Sequence, residues 1–158
     1  MEFDEAIKIL RAFETENVRY VLVGSMAMAA QGLVRATRDM DVFVAPDPDN
    51  VDRLRRALQG VFENDPNLDE IQSDDLIGDY PAIEYTPPHG EYSLDILSRL
   101  GEAFRYEELE SNLLTIDGVH IRVATPRMLY LMKHNTVRPQ DRIDAEAIRQ
   151  QFDLDEKG

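Results

Sequence analysis

The sequence predicts an α/β (α+β) domain, a single mixed β-sheet with helices packed mainly on one side, and three observations predict it. Short apolar runs at strand length, Tyr20–Val23 and Asp39–Val44, sit between segments whose apolar residues recur at helical spacing. Later come two pairs of apolar runs joined by turn residues, Pro87-Pro88-His89-Gly90 and Asp117-Gly118, which read as hairpins. The resulting order is helix, strand, helix, strand, helix, paired strands, then two helices, which suits a sheet layered with helices. No break in composition divides the 158 residues, so 1–158 is expected to fold as one domain, its core at about 18–124 and its C-terminal helices at about 125–152.

Taken in order, Ala6, Ile9, Leu10 and Phe13 fall on one helical face, with Asp4 as the expected N-cap. Tyr20–Val23 reads as a buried strand, and Gly24 allows a tight turn where a side chain would obstruct. Ser25 is expected to cap or open a short helix through Ala30, ended by Gly32. An extended Arg35–Arg38 leads into the acidic strand, which stops at Pro46. Asp47-Pro48-Asp49 opens a helix carrying Val51, Leu54 and Leu58 on its inner side and Arg53, Arg55 and Arg56 outside. The acid-rich stretch from Glu63 to Asp79 has weak patterning and reads as an exposed loop around a short strand or helix. The hairpin strands are Ala82–Tyr85 with Tyr92–Leu97, then, after a helical turn at Glu107–Leu109, Leu113–Ile116 with Val119–Val123. Thr125-Pro126 starts a helix buried through Met128, Leu129, Leu131 and Met132; Arg138-Pro139 breaks it, and Asp141–Phe152 forms the last.

Net charge of -14 argues against a broad grip on a nucleic acid backbone, which needs clustered Lys and Arg, but leaves room for a nucleotide arriving with its metal ions. Without cysteine there is neither a disulfide framework nor a thiolate metal site, which suits a reducing cytoplasm. The acidic, amphipathic start is no signal peptide, and no apolar run reaches membrane-spanning length.

The chemistry concentrates in a few acids. On a strand, Asp39 and Asp41 point to one face while Met40 and Val42 point to the other. Two carboxylates held side by side repel unless a cation lies between them, and Mg2+ (or Mn2+) is the simplest candidate. Asp95, between Leu94 and Ile96, is a third carboxylate in an apolar setting where a lone charge is costly. If its strand lies beside the Asp39/Asp41 strand the three converge, although Glu84 and Glu91 are open to the same argument. Two metal ions roughly 3.5 to 4 Å apart can clamp the attacking and leaving oxygens of a phosphoryl displacement. Asp39 and Asp41 would bridge them, and Asp95 would hold the ion at the nucleophile. Backbone N–H groups and a hydroxyl at Gly24-Ser25 favour a polyphosphate. Arg35 and Arg38 offer cations beside it. The reading is nucleotidyl transfer from a nucleoside triphosphate such as ATP or GTP, with pyrophosphate leaving.

Gly24-Ser25, a helical spacer, Asp39-Met40-Asp41 and later Leu94-Asp95-Ile96 together resemble the signature of the nucleotidyltransferase fold shared with DNA polymerase β. Within that superfamily the chain is similar to the compact bacterial AbiEii-type and minimal nucleotidyltransferases, and to antibiotic nucleotidyltransferases. The phrase RATRDMDVFV and the run Lys133, Arg138, Asp141, Asp144 carry that likeness. The resemblance implies that Asp39, Asp41 and Asp95 are catalytic and bind metal, that Lys133 contacts the triphosphate, and that Asp141 and Asp144 support the site. It also implies an acceptor of RNA, protein or small-molecule nature, and for the AbiEii type a toxin role with a cognate antitoxin. A small chain without an acceptor domain would work as a homodimer or with a partner. The rival expectation is a catalytically silent module that binds a nucleotide or a partner.

Other prominent residues have plainer explanations. His89, His120 and His134 lack metal-ligand spacing, the arginines of the third helix read as a solvated face rather than an RNA stripe, and Met26 and Met28 as packing residues.

Overall fold

The structure is a computed structural model describing residues 2–33, 38–88 and 90–154. Its centre is a six-stranded mixed sheet in the order β3-β4-β2-β1-β8-β7, built from β1 (Tyr20–Val23), β2 (Asp39–Val44), β3 (Ala82–Tyr85), β4 (Ser93–Leu97), β7 (Ser111–Ile116) and β8 (Val119–Ala124). The pairs β1–β2, β3–β4 and β7–β8 are antiparallel, whereas β2–β4 and β1–β8 run parallel. A small hairpin, β5 (Arg99–Leu100) with β6 (Phe104–Arg105), follows β4 and had no counterpart in the sequence reading. Each of its strands is two residues long, too short to show alternation.

Helices α1 (Phe3–Thr15) and α3 (Pro48–Val61) cover the face formed by Tyr20, Leu22, Met40 and Val42, and Phe13 meets the Tyr20 ring edge-on. Ile9, Leu10, Phe13, Leu54 and Leu58 are fully buried there, as the helical spacing requires. The opposite face receives α4 (Pro126–Lys133), backed by α5 (Pro139–Gln151), at its β1 and β8 end. Toward β3 that face stays open, and Ala82 and Glu84 are exposed on it. Short α2 (Gly24–Ala30) fills the corner between β1, β2 and α4, with Met26 and Met28 buried.

The caps explain the helix starts. Asp47 accepts from the Asn50 amide at 3.1 Å, and Thr125 accepts from the Met128 amide at 3.1 Å, each ahead of a proline in the first turn. Two expected caps differ. Helix α1 begins two residues earlier, with Glu2 at its cap, so Asp4 lies in the first turn, where its charge still suits the helix dipole. Helix α2 starts at Gly24 itself, with Val23 at the cap position, so Ser25 sits inside the first turn. The stretch after α3 forms two 3-10 turns, Pro66–Glu70 and Ser73–Leu76, which Arg55 ties to α3 by donating to the Ile71 carbonyl. Arg53 pairs with Asp49 at 3.2 Å and Arg56 with Glu16 at 3.3 Å, so the arginine face is engaged in local ion pairs. Asp117 and Gly118 both take positive φ, as a two-residue hairpin turn demands. Among the described residues no helix is long and apolar enough to cross a membrane.

Candidate active site

The central acids come together because β2 and β4 are parallel neighbours in a single register. Asp39 lies opposite Ser93 and Asp41 opposite Asp95, so Asp39, Asp41 and Asp95 stand on one face while Met40, Val42, Leu94 and Ile96 are completely buried on the other. The same cross-strand register sets Asp41 opposite Val23, the last residue before the Gly24 bend. Gly24 has φ +70, and a Cβ there would overlap the Asp41 Oδ2 atom and come within 3.2 Å of its Cγ. Only glycine lets the backbone pass this close to the carboxylate.

The Asp41 and Asp95 carboxylates are direct neighbours across the β2–β4 pair, close enough for each to raise the cost of charge on the other. Burial, the hydrogen bond to Asp95 and the charges of Asp95 and Asp39 push the Asp41 carboxyl up to about 7, against a small opposing pull from Lys133. Asp39, exposed at the strand entrance, accepts a 2.9 Å hydrogen bond from the Ser93 hydroxyl. Sequence reasoning did not single out that serine, whose only signal was a place two residues before Asp95.

Lys133 closes the far wall from the last turn of α4. Its ammonium is 2.9 Å from Asp144 and 3.4 Å from Asp141, and its side chain is only 12% exposed. Thr136 donates to Asp141 and Gln140 to Asp144, both at 2.9 Å, so the two buried carboxylates of α5 are satisfied on several sides. Arg138 is exposed and reaches Asp141 at 4.0 Å. A cavity of about 460 Å3 joins these groups, lined by Gly24, Ser25 and Arg38 together with the three acids, Lys133 and Arg138. Beside it lies a cleft of about 510 Å3 between Phe43, Leu97, Leu129 and Met132, opening on Asp41, Glu84 and Asp95.

Of the residues expected from sequence, the structure gathers Gly24, Ser25, Arg38, Asp39, Asp41, Asp95 and Lys133 around one cavity. Arg35 and His89 lie outside the described residues. Glu84, one of the two acids open to Asp95's argument, stands directly across from Asp95 on β3. His120 pairs with Glu14 at 2.5 Å, and His134 stacks on Tyr130, both away from this cavity.

Among the described residues no three His, Cys, Asp or Glu side chains are already arranged as a metal-ligand set. The donor chemistry nevertheless fits a hard divalent cation. Oxygen ligands from carboxylates are what magnesium takes, and a cation here would offset the burial and like charge that raise the Asp41 carboxyl.

No family model and no curated protein matches this sequence. Solved structures do match by shape. A candidate nucleotidyltransferase from Thermotoga maritima superposes with a TM-score of 0.57 at 16% identity, covering 97% of this chain and 93% of its own. An antigenic nucleotidyltransferase-like protein from Paracoccidioides brasiliensis gives 0.55 at 15% identity, covering 93% of this chain and 75% of that one. The antibiotic-resistance factor ANT(2'')-Ia gives 0.52 at 16% identity over 94% of this chain and 83% of its own. At these identities the likeness is one of fold, and the fold is that of nucleotidyltransferase-like proteins.

Proposed function

We propose that the chain is a metal-dependent nucleotidyltransferase, moving an NMP group from an NTP to a hydroxyl or phosphate of an acceptor. The observation that supports this best is the meeting of Asp39, Asp41 and Asp95 beside the Gly24 bend, with Lys133 across the same cavity. Asp39 and Asp41 would hold Mg2+ or Mn2+, with Asp95 as the third ligand. Bound there, the cations would polarise the α-phosphate and neutralise the charge of the departing pyrophosphate.

The chain's own groups have separable tasks. The amides and hydroxyl at Gly24-Ser25, with Arg38 and Lys133, bind the triphosphate and fix its direction. Arg35 is assigned to the same task by its place in the sequence. Lys133 is free to serve a phosphate without leaving its acids, since an ammonium carries three donors. Asp95 orients the acceptor hydroxyl and takes its proton as the new oxygen–phosphorus bond forms and the bond to the β-phosphate oxygen breaks. The apolar cleft along β4 excludes water from that exchange.

The finer reading follows the C-terminal pattern of Lys133, Arg138, Asp141 and Asp144: an AbiEii-type toxin of a type IV toxin-antitoxin pair, acting in the cytoplasm with an antitoxin or as a homodimer. A structure of ANT(2'')-Ia holds adenylyl-2''-tobramycin, which favours an antibiotic nucleotidyltransferase as a second reading. The test is a magnesium titration against labelled triphosphates, following binding and pyrophosphate release with RNA, protein and aminoglycoside acceptors. Release that depends on both metal and acceptor is the expected result. Nucleotide binding without release under any acceptor would leave the silent binding module in its place.

A further inference from the structure

The central sheet ends on two edge strands, and they are defended differently. β3 is four residues long, carries Glu84, and lies between Pro81 and Pro87-Pro88. Shortness, charge and proline are means by which an edge avoids pairing with a foreign strand. β7 has none of them. Its six residues, Ser111–Ile116, include no charge, no proline and no glycine, in a chain of which 30% is charged. Leu113 stands 55% exposed on it, and Leu114 and Ile116 are only partly buried.

The hydrogen bonds around β8 show which backbone groups of β7 face outward. In an antiparallel pair, alternate residues exchange bonds with the neighbouring strand and those between turn away from it. The Thr125 amide donates to the Glu110 carbonyl at 3.1 Å, one step beyond the Ser111–Ala124 pair, so the even-numbered residues of β7 are the ones bonded to β8. The residues opposite the odd-numbered ones agree. The Arg122 amide, across from Leu113, donates to the Tyr20 hydroxyl, and the His120 amide, across from Thr115, donates to Glu14. Ser111, Leu113 and Thr115 therefore direct their amides and carbonyls off the edge of the sheet, and among the described residues no strand lies beyond them.

We propose that β7 is a self-pairing edge: two copies of this chain join antiparallel along it, about a two-fold axis at Leu113, so that their sheets run on as one. The strand itself favours its own copy over an unlike partner. Its outward set is symmetric about Leu113, so the axis sets Leu113 on Leu113 and Ser111 on Thr115 of the second copy and bonds all three residues of each. Leucine then covers leucine and hydroxyl meets hydroxyl. The acids at the strand's ends, Glu110 and Asp117, fall opposite Ile116 and Leu109 of the second copy, so two chains of net charge -14 meet without setting these carboxylates face to face. A charged strand would find no counter-charge on β7. Asp39, Asp41 and Asp95 lie on β2 and β4, separated from this edge by β1 and β8, so the pairing leaves their cavity open and stands whether or not the chain transfers nucleotides.

The test is sedimentation velocity of the full chain from micromolar to submillimolar concentration, with amide hydrogen exchange followed at both ends of that range. A reversible dimer is expected, in which the Ser111, Leu113 and Thr115 amides exchange more slowly as the dimer fills. Leu113→Lys sets two like charges against each other across the axis and is expected to raise the dissociation constant roughly hundredfold. Its urea unfolding at the lowest concentration should match the parent, because Leu113 is exposed in the single copy. Ile143→Lys alters a comparably exposed apolar residue on α5, 62% exposed, and is expected to leave the dimer intact. A chain that stays monomeric throughout, its edge kept for a strand of another protein, would overturn the proposal. So would a dimer indifferent to Leu113→Lys, one weakened as much by Ile143→Lys, or protection that leaves out the three outward amides.

Discussion

Replacing Asp41 by Asn gives a sharp test, because one substitution should stabilise the metal-free protein and silence it. In the folded chain the Asp41 carboxyl is raised from an ordinary 3.8 to about 7. A raised carboxyl means that the folded state holds a proton the unfolded state has released, so stability contributed at low pH is lost as pH climbs from about 4 to 7. A rise of that size corresponds to about 4 kcal/mol at most, and the solvent that still reaches the group lowers the net figure to roughly 2–4 kcal/mol. Asn keeps the shape and a hydrogen-bond donor for Asp95 without the charge. Urea unfolding in chelator at pH 4 and pH 8 should therefore show near-equal proteins at the lower pH and a more stable Asp41→Asn protein at the higher. Magnesium at pH 8 should return the lost stability to the unaltered chain and do nothing for the variant. A variant no more stable than its parent at pH 8, or a gap that ignores pH, would refute the picture of crowded carboxylates awaiting a cation.

Three further outcomes follow from the same geometry. Asp95→Asn should reduce kcat more than nucleotide affinity, because its assigned place is at the attacking oxygen; equal losses in pyrophosphate release and in nucleotide binding would remove it from that place. Gly24→Ala combines a left-handed φ with a Cβ that overlaps Asp41; it should cost roughly 2 kcal/mol in urea unfolding and most of the activity, and an unimpaired protein would contradict the close approach. Lys133→Met removes the ammonium that pairs with both buried Asp141 and Asp144 and should destabilise by about 3 kcal/mol. Adding Asp144→Leu should recover part of that stability and none of the transfer, which separates the lysine's structural task from its phosphate task.

Much of the fold was legible because local chemistry and tertiary environment agree. The alternation Asp39-Met40-Asp41-Val42 reads as half-buried strand and is one. The Asp117-Gly118 turn and the Thr125-Pro126 start stand where their backbone preferences put them, whereas the break expected at Arg138-Pro139 comes earlier: α4 ends at Lys133 and Pro139 opens α5, since proline suits the first turn of a helix. The polar stretch from Glu63 to Asp79 was opaque, since its two 3-10 turns are held by contacts from outside, such as Arg55 to Ile71 and Ser98 to the Leu76 carbonyl. Ser25 was misplaced by one position for a related reason. The helix begins at Gly24, whose positive φ and closeness to Asp41 are features of the tertiary approach that no capping preference announces.

By itself the sequence determined which residues carry charge, which segments become strands, and hence that Asp39 and Asp41 share a face, because side-chain alternation is a property of one extended chain. It could not determine that β4 lies parallel to β2 in the register that sets Asp95 against Asp41, nor that Glu84 rather than Glu91 stands across from Asp95. Register between strands is fixed by how two hydrophobic faces share one core, and a slip of a single residue would have turned Asp95 into that core. Nor could it place Lys133 between the two acids of α5 and the central cavity, since only the packing of α4 on α5 brings residues eight and eleven positions apart within reach of one ammonium group.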